Sequence, residues 1–420
     1  MSFASAYIEK RILFTQFISE APENNTGIIV VIPSYGESDI SRVLDSLAKA
    51  AAPECSVEVI VVVNAPENAS SESLIQNRKT LEDIESWKLQ KKNCWFRLFS
   101  VEIRPGAIQG WGVGLARKAG MDEAVRRFNS ISNQDGIILN LDADCKVEAN
   151  YFLSVFSEFF TRKERKACSI YFEHELEGNE FPSLVYRNII FYELHLRYYY
   201  QGLSYSGFPY VFHTVGSAMA VRAKEYVLAG GMNRRQAGED FYLIQKLVTL
   251  GGYFSINSTT VYPSPRPSFR VPFGTGAAIE KMTEEKGSTF MTYNFDAFRE
   301  LRIFFEMTER FYNSNENDLI DLFSSLPEGI KQFIGKEEWL EKITEIQSNT
   351  SGLASFRKRF FGWFNMFRIV RYLNVVHQKL YLKIPVEEAS KELLAAIGES
   401  LIPGGPLDLL IHYRKMEKNN

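Results

Sequence analysis

No stretch of about 18 uncharged apolar residues occurs anywhere in the 420 residues, so no membrane-spanning helix is expected. The opening MSFASAYIEKRILF carries charges where a secretion signal needs an apolar centre, which excludes that reading of it. Cysteine is scarce: Cys55, Cys94, Cys145 and Cys168 stand far apart without C-x-x-C spacing, giving neither a zinc knuckle nor a disulfide framework. Nor is there a basic surplus, with 48 Lys and Arg against 51 Asp and Glu, so nucleic acid is not an expected partner. G-x-G-x-x-G with an acid about 20 positions on is missing, and with it the dinucleotide fingerprint. No internal repeat is evident. A reducing, cytoplasmic location is the default expectation. Aromatics, by contrast, are abundant: 32 Phe and 20 Tyr, crowded into Phe181 to Tyr210 and Phe356 to Tyr381. They can fill a core, or line a carbohydrate or lipid site.

The stretch GIILNLDADC, Gly136 to Cys145, organises the rest. Its apolar run is too short for a helix and too evenly apolar for a half-exposed strand, so it predicts a strand buried on both faces of a parallel sheet. Ligands collect at the carboxyl ends of such strands, where Asp142 and Asp144 stand with one small residue between them. Two strand-end carboxylates offer hard oxygen ligands for Mg²⁺ or Mn²⁺. The alternative is a turn that carries two common turn formers.

GIIVVIPSYGES from Gly27 predicts a second buried strand, followed by a helix to about Ala52 capped by Ser38 or Asp39. A strand Val57 to Asn64, a charged helix Leu74 to Lys91 and a strand near Trp95 to Ile103 continue the alternation. It argues an α/β, doubly wound, mostly parallel sheet. Glycines 106, 110, 112 and 114 then precede an amphipathic helix, LARKAGMDEAVRRF. Such a cluster lets main-chain N–H groups approach phosphates, with Arg117 and Lys118 adding charge; it can equally be a surface turn. Beyond Asp144 come a helix from Asn150, a strand ACSIYFEHEL, a helical aromatic segment and a strand-like VGSAMAV. Gly238, Glu239 and Asp240 stand directly before a further helix. The two acids either cap it or supply a general base.

The ordered set VVIPSYGES, Asn64, GVGLARKAG, LDADC, VGSAMAVR and GGMNRRQAGEDFYLIQKLVTLGG resembles family 2 glycosyltransferases of the GT-A fold, over about residues 26 to 265. That resemblance implies a nucleotide-diphosphate sugar as donor and an acceptor hydroxyl of unknown identity. It places Pro33, Tyr35 and Glu37 against base and ribose, Asn64 opposite the base edge and Arg117 near the nucleotide. Asp142 and Asp144 would bridge ribose and a metal-bound pyrophosphate, with Mn²⁺ or Mg²⁺ as cofactor. Asp240, with Glu239 beside it, would hold the base position of inverting members. Three departures stand out: Asn64 where the family usually has Asp, Lys118 where it has Asn, and no Q-x-x-R-W. The last, with the missing membrane helices, implies a non-processive enzyme of glycan, polysaccharide or glycolipid synthesis. A catalytically inactive nucleotide-sugar-binding module of the same fold is the alternative.

The loop PSPRPSFRVPFGTG, containing Arg266 and Arg270, reads either as a lid over phosphates or as a Pro-rich surface loop. His213 reads as a packed ring or an acceptor-site residue. From about Glu280 the pattern turns helical. The expected organisation is an N-terminal helix and linker (1–25), the glycosyltransferase domain (26–280) and an α-helical C-terminal region (281–420). Within the last, 356–383 carries seven Lys or Arg and no acid. It is either a core helix with solvated cations or a peripheral contact with an anionic membrane surface at the inner face.

Overall fold

A computed structural model of the chain describes residues 2–104, 112–233, 238–268, 274–285 and 289–419. Its centre is an eight-stranded sheet: β1 (Thr26–Ser34), β2 (Ser56–Asn64), β3 (Arg97–Ile103), β4 (Ile137–Asn140), β5 (Lys146–Val147), β6 (Ala167–Phe172), β7 (Met219–Arg222) and β8 (Tyr253–Tyr262). The spatial order is β3-β2-β1-β4-β7-β6-β8-β5. β3, β2, β1 and β4 are mutually parallel, and β6 pairs in parallel with β8; β7 and β5 run against their neighbours. This is the expected α/β, mostly parallel sheet, and the helical region after it is equally present. Every residue of β1 and β4 is buried, as a strand covered on both faces requires. Pro33 lies beyond the last β1–β4 pair, Val31 with Asn140, so its missing N–H interrupts nothing there.

The order also fixes where a site can form. From β1 the chain moves outward to β2 and β3, then returns to β4 on the other side of β1. The reversal opens a crevice at the carboxyl ends of β1 and β4. α1 (Ser5–Arg11) precedes β1, and between the strands run α2 (Ile40–Lys49), α3 (Ser71–Gln90), α4 (Val113–Ser130), α5 (Tyr151–Phe160), α6 (Ser183–Tyr205), α7 (Ala223–Leu228) and α8 (Glu239–Thr249). Asp39 caps α2, its carboxylate accepting from Arg42 N–H, and Ser70 caps α3 in the same way.

The helix α4 differs from its sequence pattern. It reads as amphipathic, yet Arg117, Lys118, Asp122, Glu123 and Arg127 are all buried. The reason is the N-terminal segment, which covers the polar side of the helix. Tyr7 OH donates to Asp122 at 2.8 Å, and the main-chain N–H groups of Phe17 and Ile18 donate to Glu123 at 3.3 and 3.2 Å. Arg127 donates to the buried Glu58 of β2 at 2.5 and 2.7 Å. On the opposite side, Gly120 lets the helix approach the sheet; a Cβ there would stand 2.4 Å from Val31 and 2.9 Å from Val62.

The chain forms two compact units: residues 1–181, 212–280 and 418–420, and residues 182–211 with 281–417. The second is helical, apart from a short antiparallel pairing of Met291–Thr292 with Ile384–Pro385. Its core is aromatic: Phe304 meets Phe311, Trp339, Phe360 and Phe364 with ring centroids 5.0–6.0 Å apart. Phe356 and Phe361 are buried as well. Of the large rings in 356–383, Phe356, Phe360, Phe361, Phe364 and Tyr372 are buried in this unit, whereas Trp363, Phe367 and Tyr381 are half-buried. Arg357, Lys358, Arg359, Arg371, Lys379 and Lys383 remain exposed. Among the described residues no helix is long and apolar enough to cross a membrane.

Candidate active site

At the end of β1 the chain turns through Tyr35 and Gly36, and Gly36 takes a positive φ of 56°. The turn drops Glu37 into a buried position, with 4% of its surface exposed. Asn77 of α3 fastens this turn to β2: its Oδ1 accepts from Gly36 N–H at 2.8 Å and its Nδ2 donates to the Asn64 carbonyl at 3.0 Å. Gln76 and Thr80 donate to the Glu37 carbonyl at 2.7 and 3.0 Å. The Asn64 side chain is itself oriented, since its Nδ2 donates to the Gly112 carbonyl at 3.2 Å. Its other end, Oδ1, is therefore the acceptor left for a ligand.

Asp142 and Asp144 follow β4 directly, with side chains 36% and 30% exposed. Each meets an arginine. Arg117, buried on the first turns of α4, donates Nη2 to Asp142 Oδ1 at 2.6 Å and Nη1 to Glu239 Oε1; Asp240 Oδ2 lies 4.0 Å from the same Nη1. Arg266, on the loop after β8, forks onto Glu37 at 2.7 and 2.9 Å and reaches Asp144 Oδ2 at 3.2 Å. Four carboxylates and two guanidinium groups thus run in one line, Glu239–Arg117–Asp142 and Asp144–Arg266–Glu37, joined through the strand end, and Asp240 beside Arg117 is a fifth acid. The two strand-end acids, the helix-start acids and the loop arginine, far apart in sequence, share this one crevice.

The surroundings divide Glu239 from Asp240. Glu239 is 1% exposed and held by Arg117, while a fifth of the Asp240 side chain is exposed. Burial raises the Asp240 pKa to about 6, with Glu239 and Asp142 adding to the rise while Arg117 and the Phe241 N–H oppose it. For Arg117 burial disfavours the charge, but Asp142, Glu239 and Asp240 more than offset this and raise its pKa. Gly216, just ahead of β7, completes the cradle: a Cβ would come within 2.5 Å of Arg117 Nη1 and 2.6 Å of Asp240 Oδ2.

Arg117 Nε and Glu239 Oε2 are buried without a hydrogen-bond partner among the described residues. Such orphaned polar atoms are costly unless a ligand or water satisfies them. No group of three or more His, Cys, Asp or Glu suited to a metal exists among the described residues. What the chain offers a divalent cation is two carboxylates, Asp142 and Asp144. That set fits Mg²⁺ or Mn²⁺, which commonly take one or two protein carboxylates and complete their shell with phosphate oxygens and water.

Pro33 and Tyr35 lie at the β1 end and in the turn after it. Lys118 points elsewhere: its Nζ pairs with Asp122 at 2.9 Å and meets Tyr7 OH at 3.3 Å. The half-buried His213 ring meets Phe172 edge-on, centroids 5.1 Å apart. Gly106, Gly110 and Arg270 lie outside the described residues. Asn77 and Gly216 escape sequence reasoning. Asn77 is one polar residue among many on a charged helix, and Gly216 gave only the glycine ahead of a strand as its signal.

No family model matches the chain, and no curated protein matches it. Among solved structures it is similar to S. aureus TarS 1–349 in complex with UDP-GlcNAc, at 14% identity over 79% of this chain and 89% of that one, TM-score 0.40. It is similar also to the mannosyltransferase PcManGT from Pyrobaculum calidifontis in complex with GDP-Man and Mn²⁺. That likeness has 13% identity over 99% of this chain and 94% of that one, TM-score 0.37. Likenesses this distant carry no argument about what this chain does.

Proposed function

We propose that the chain is a GT-A-type glycosyltransferase, moving a sugar from a nucleoside-diphosphate sugar to an acceptor hydroxyl with inversion and with a divalent cation. The observation that carries the reading is Arg117, which gathers the strand-end Asp142 and the helix-start Glu239 and Asp240 at the sheet's switch point. In sugar transfer the bond between anomeric carbon and phosphate oxygen breaks, negative charge appears on the diphosphate, and the acceptor oxygen bonds to the sugar as it loses its proton.

Asp142 and Asp144 would hold the cation, which supplies charge neutralisation for the departing diphosphate. Asp240 is placed to take the acceptor proton: it is the accessible acid of its pair, and a pKa of about 6 leaves it a base at neutral pH. Glu239 is the buried partner of Arg117 and positions it. Asn64 presents an oxygen acceptor to the base edge, which suits a base with a ring N–H. Five carboxylates against two guanidinium groups also disfavour an anionic diphosphate arriving without a cation of its own.

Retention of this full set favours an enzyme over a binding module. The test is a thermal-shift panel of nucleotide sugars with and without Mn²⁺, followed by turnover of the donor that binds. Asp144→Asn should fold normally and lose both Mn²⁺-dependent nucleotide binding and turnover. Full activity of that variant in chelator would sink the metal assignment.

A further inference from the structure

We infer that Arg266 is a cation shared by the carboxylates of Glu37 and Asp144 and handed to the donor's diphosphate, with Glu37 as its permanent anchor. The inference rests on the reading above and deepens it, because it gives Glu37 a different task from the ribose contact that the family resemblance implies. The two contacts of Arg266 are unequal. On Glu37 the guanidinium makes a bidentate fork at 2.7 and 2.9 Å, the geometry in which an arginine–carboxylate pair is strongest. The Glu37 side chain is only 5% exposed, and a carboxylate so buried is costly without a paired cation.

On Asp144 the same guanidinium makes one longer contact, 3.2 Å, to an acid whose side chain is 30% exposed. The first contact is built to persist and the second to exchange. Within the loop, Arg266 N–H donates to Ser264 Oγ at 3.3 Å and Ser268 N–H to the Gly276 carbonyl at 3.1 Å. Arg266 thus keeps its fork on Glu37 while its Nη2 reaches the acid that a diphosphate-bound cation would also claim.

Two consequences follow. A divalent cation alone has to displace Arg266 from Asp144, so the free protein binds it weakly. A cation arriving with a diphosphate gives Arg266 a new anionic partner, so diphosphate and cation bind together. Glu37 is a positioning residue here: it acts on the donor through Arg266.

The experiment measures binding of Mn²⁺ alone, of UDP and GDP with Mn²⁺, and of uridine and guanosine, on the full chain. Charge-assisted hydrogen bonds correspond to about 10- to 100-fold in affinity. Arg266→Gln is expected to bind Mn²⁺ alone about 10-fold more tightly and the better diphosphate about 10- to 100-fold more weakly. Glu37→Gln should weaken the diphosphate and leave the matching nucleoside unchanged, and Glu37→Gln/Arg266→Gln should be no weaker than Arg266→Gln alone. If Arg266→Gln does not fold, Arg266→Lys keeps the charge without the fork, and should weaken the diphosphate while Mn²⁺ alone stays weak. The inference is overturned if the Arg266 variants leave diphosphate and Mn²⁺ binding unchanged. It is overturned equally if the two losses add, or if Glu37→Gln weakens nucleoside and diphosphate alike, which would return Glu37 to the ribose. Should the folded wild-type chain bind neither diphosphate, with or without Mn²⁺, the glycosyltransferase reading fails and takes this inference with it.

Discussion

The surroundings of Asp240, at the start of α8, shift its titration, and the shift can be read in a pH profile. Asp240 keeps part of its side chain exposed and has its pKa raised to about 6, chiefly by burial. A base with that value is charged at neutral pH, so turnover should fall on the acid side of about pH 6. Asp240→Asn should reduce the rate by about 10²–10⁴ with nucleotide affinity little changed. The same shift acts on stability. Because the folded-state pKa lies above the ordinary one, the fold favours the protonated acid; that contribution is complete below the ordinary carboxylate range and is lost as pH rises through about 6. Asp240→Asn should therefore flatten the decline in stability between those limits, as urea melts across pH would record. The acids of this site were legible in the sequence because a carboxylate at a strand end or helix start is conspicuous against an apolar run. Gly216 and Asn77 were not, since each is defined by what approaches it: Arg117 and Asp240 in one case, the β1 turn and β2 in the other.

Among the elements, α4 has the most consequence, since it carries Arg117 on a helix that touches the sheet through Gly120. A Cβ at that glycine would meet Val31 at 2.4 Å and Val62 at 2.9 Å, both side chains of rigid central strands. Gly120→Ala is therefore expected to destabilise by about 1–3 kcal/mol in denaturant melts, despite the better helix propensity of alanine. By shifting the helix it should also weaken turnover more than nucleoside binding. The strand–helix alternation that builds the sheet was legible from apolar runs of the right length, and α4 itself from its position after a glycine cluster. Its buried polar side was not, because the N-terminal segment that covers it is remote in sequence and reads as a linker. The two readings of segment 356–383 stay apart for a related reason. Large rings among cations look alike whether they face lipid or a helical core, and only neighbours such as Phe304 and Phe311 decide. With Phe356, Phe360, Phe361 and Phe364 buried, vesicle attachment would draw chiefly on exposed cations such as Arg357, Lys358 and Arg359. At about 1 kcal/mol per cation, co-sedimentation with anionic vesicles should appear at low salt and vanish as salt is raised, and Arg357→Gln/Lys358→Gln/Arg359→Gln should remove it.

At the scale of the whole molecule the unforeseen fact is the company kept by residues 182–211, which lie between sheet strands in sequence but belong with the helices after 280. Periodicity identifies α6 as a helix; it does not say which core the helix enters. A buried ion cluster shows how firmly α6 is held there. Arg197 donates to Glu193 one turn earlier at 2.8 and 2.7 Å and to Glu417 near the chain end at 2.5 Å. Arg414 donates to Glu193 at 2.8 and 2.6 Å. Arg197 and Glu193 are fully buried and Glu417 nearly so. Among the described contacts two acids and two arginines balance, and removing a single member leaves an uncompensated buried charge. Arg197→Met should therefore cost about 3–5 kcal/mol. Replacing Arg197 and Glu417 together by apolar residues of similar volume removes a charge of each sign, and should cost clearly less than the single change. Chemical denaturation of the two variants, followed by a near-ultraviolet signal from the aromatic core, decides between this account and one in which the ions are incidental. Equal losses, or a small loss from Arg197→Met alone, would mean that packing of α6, and not its charges, fixes residues 182–211 in the helical unit.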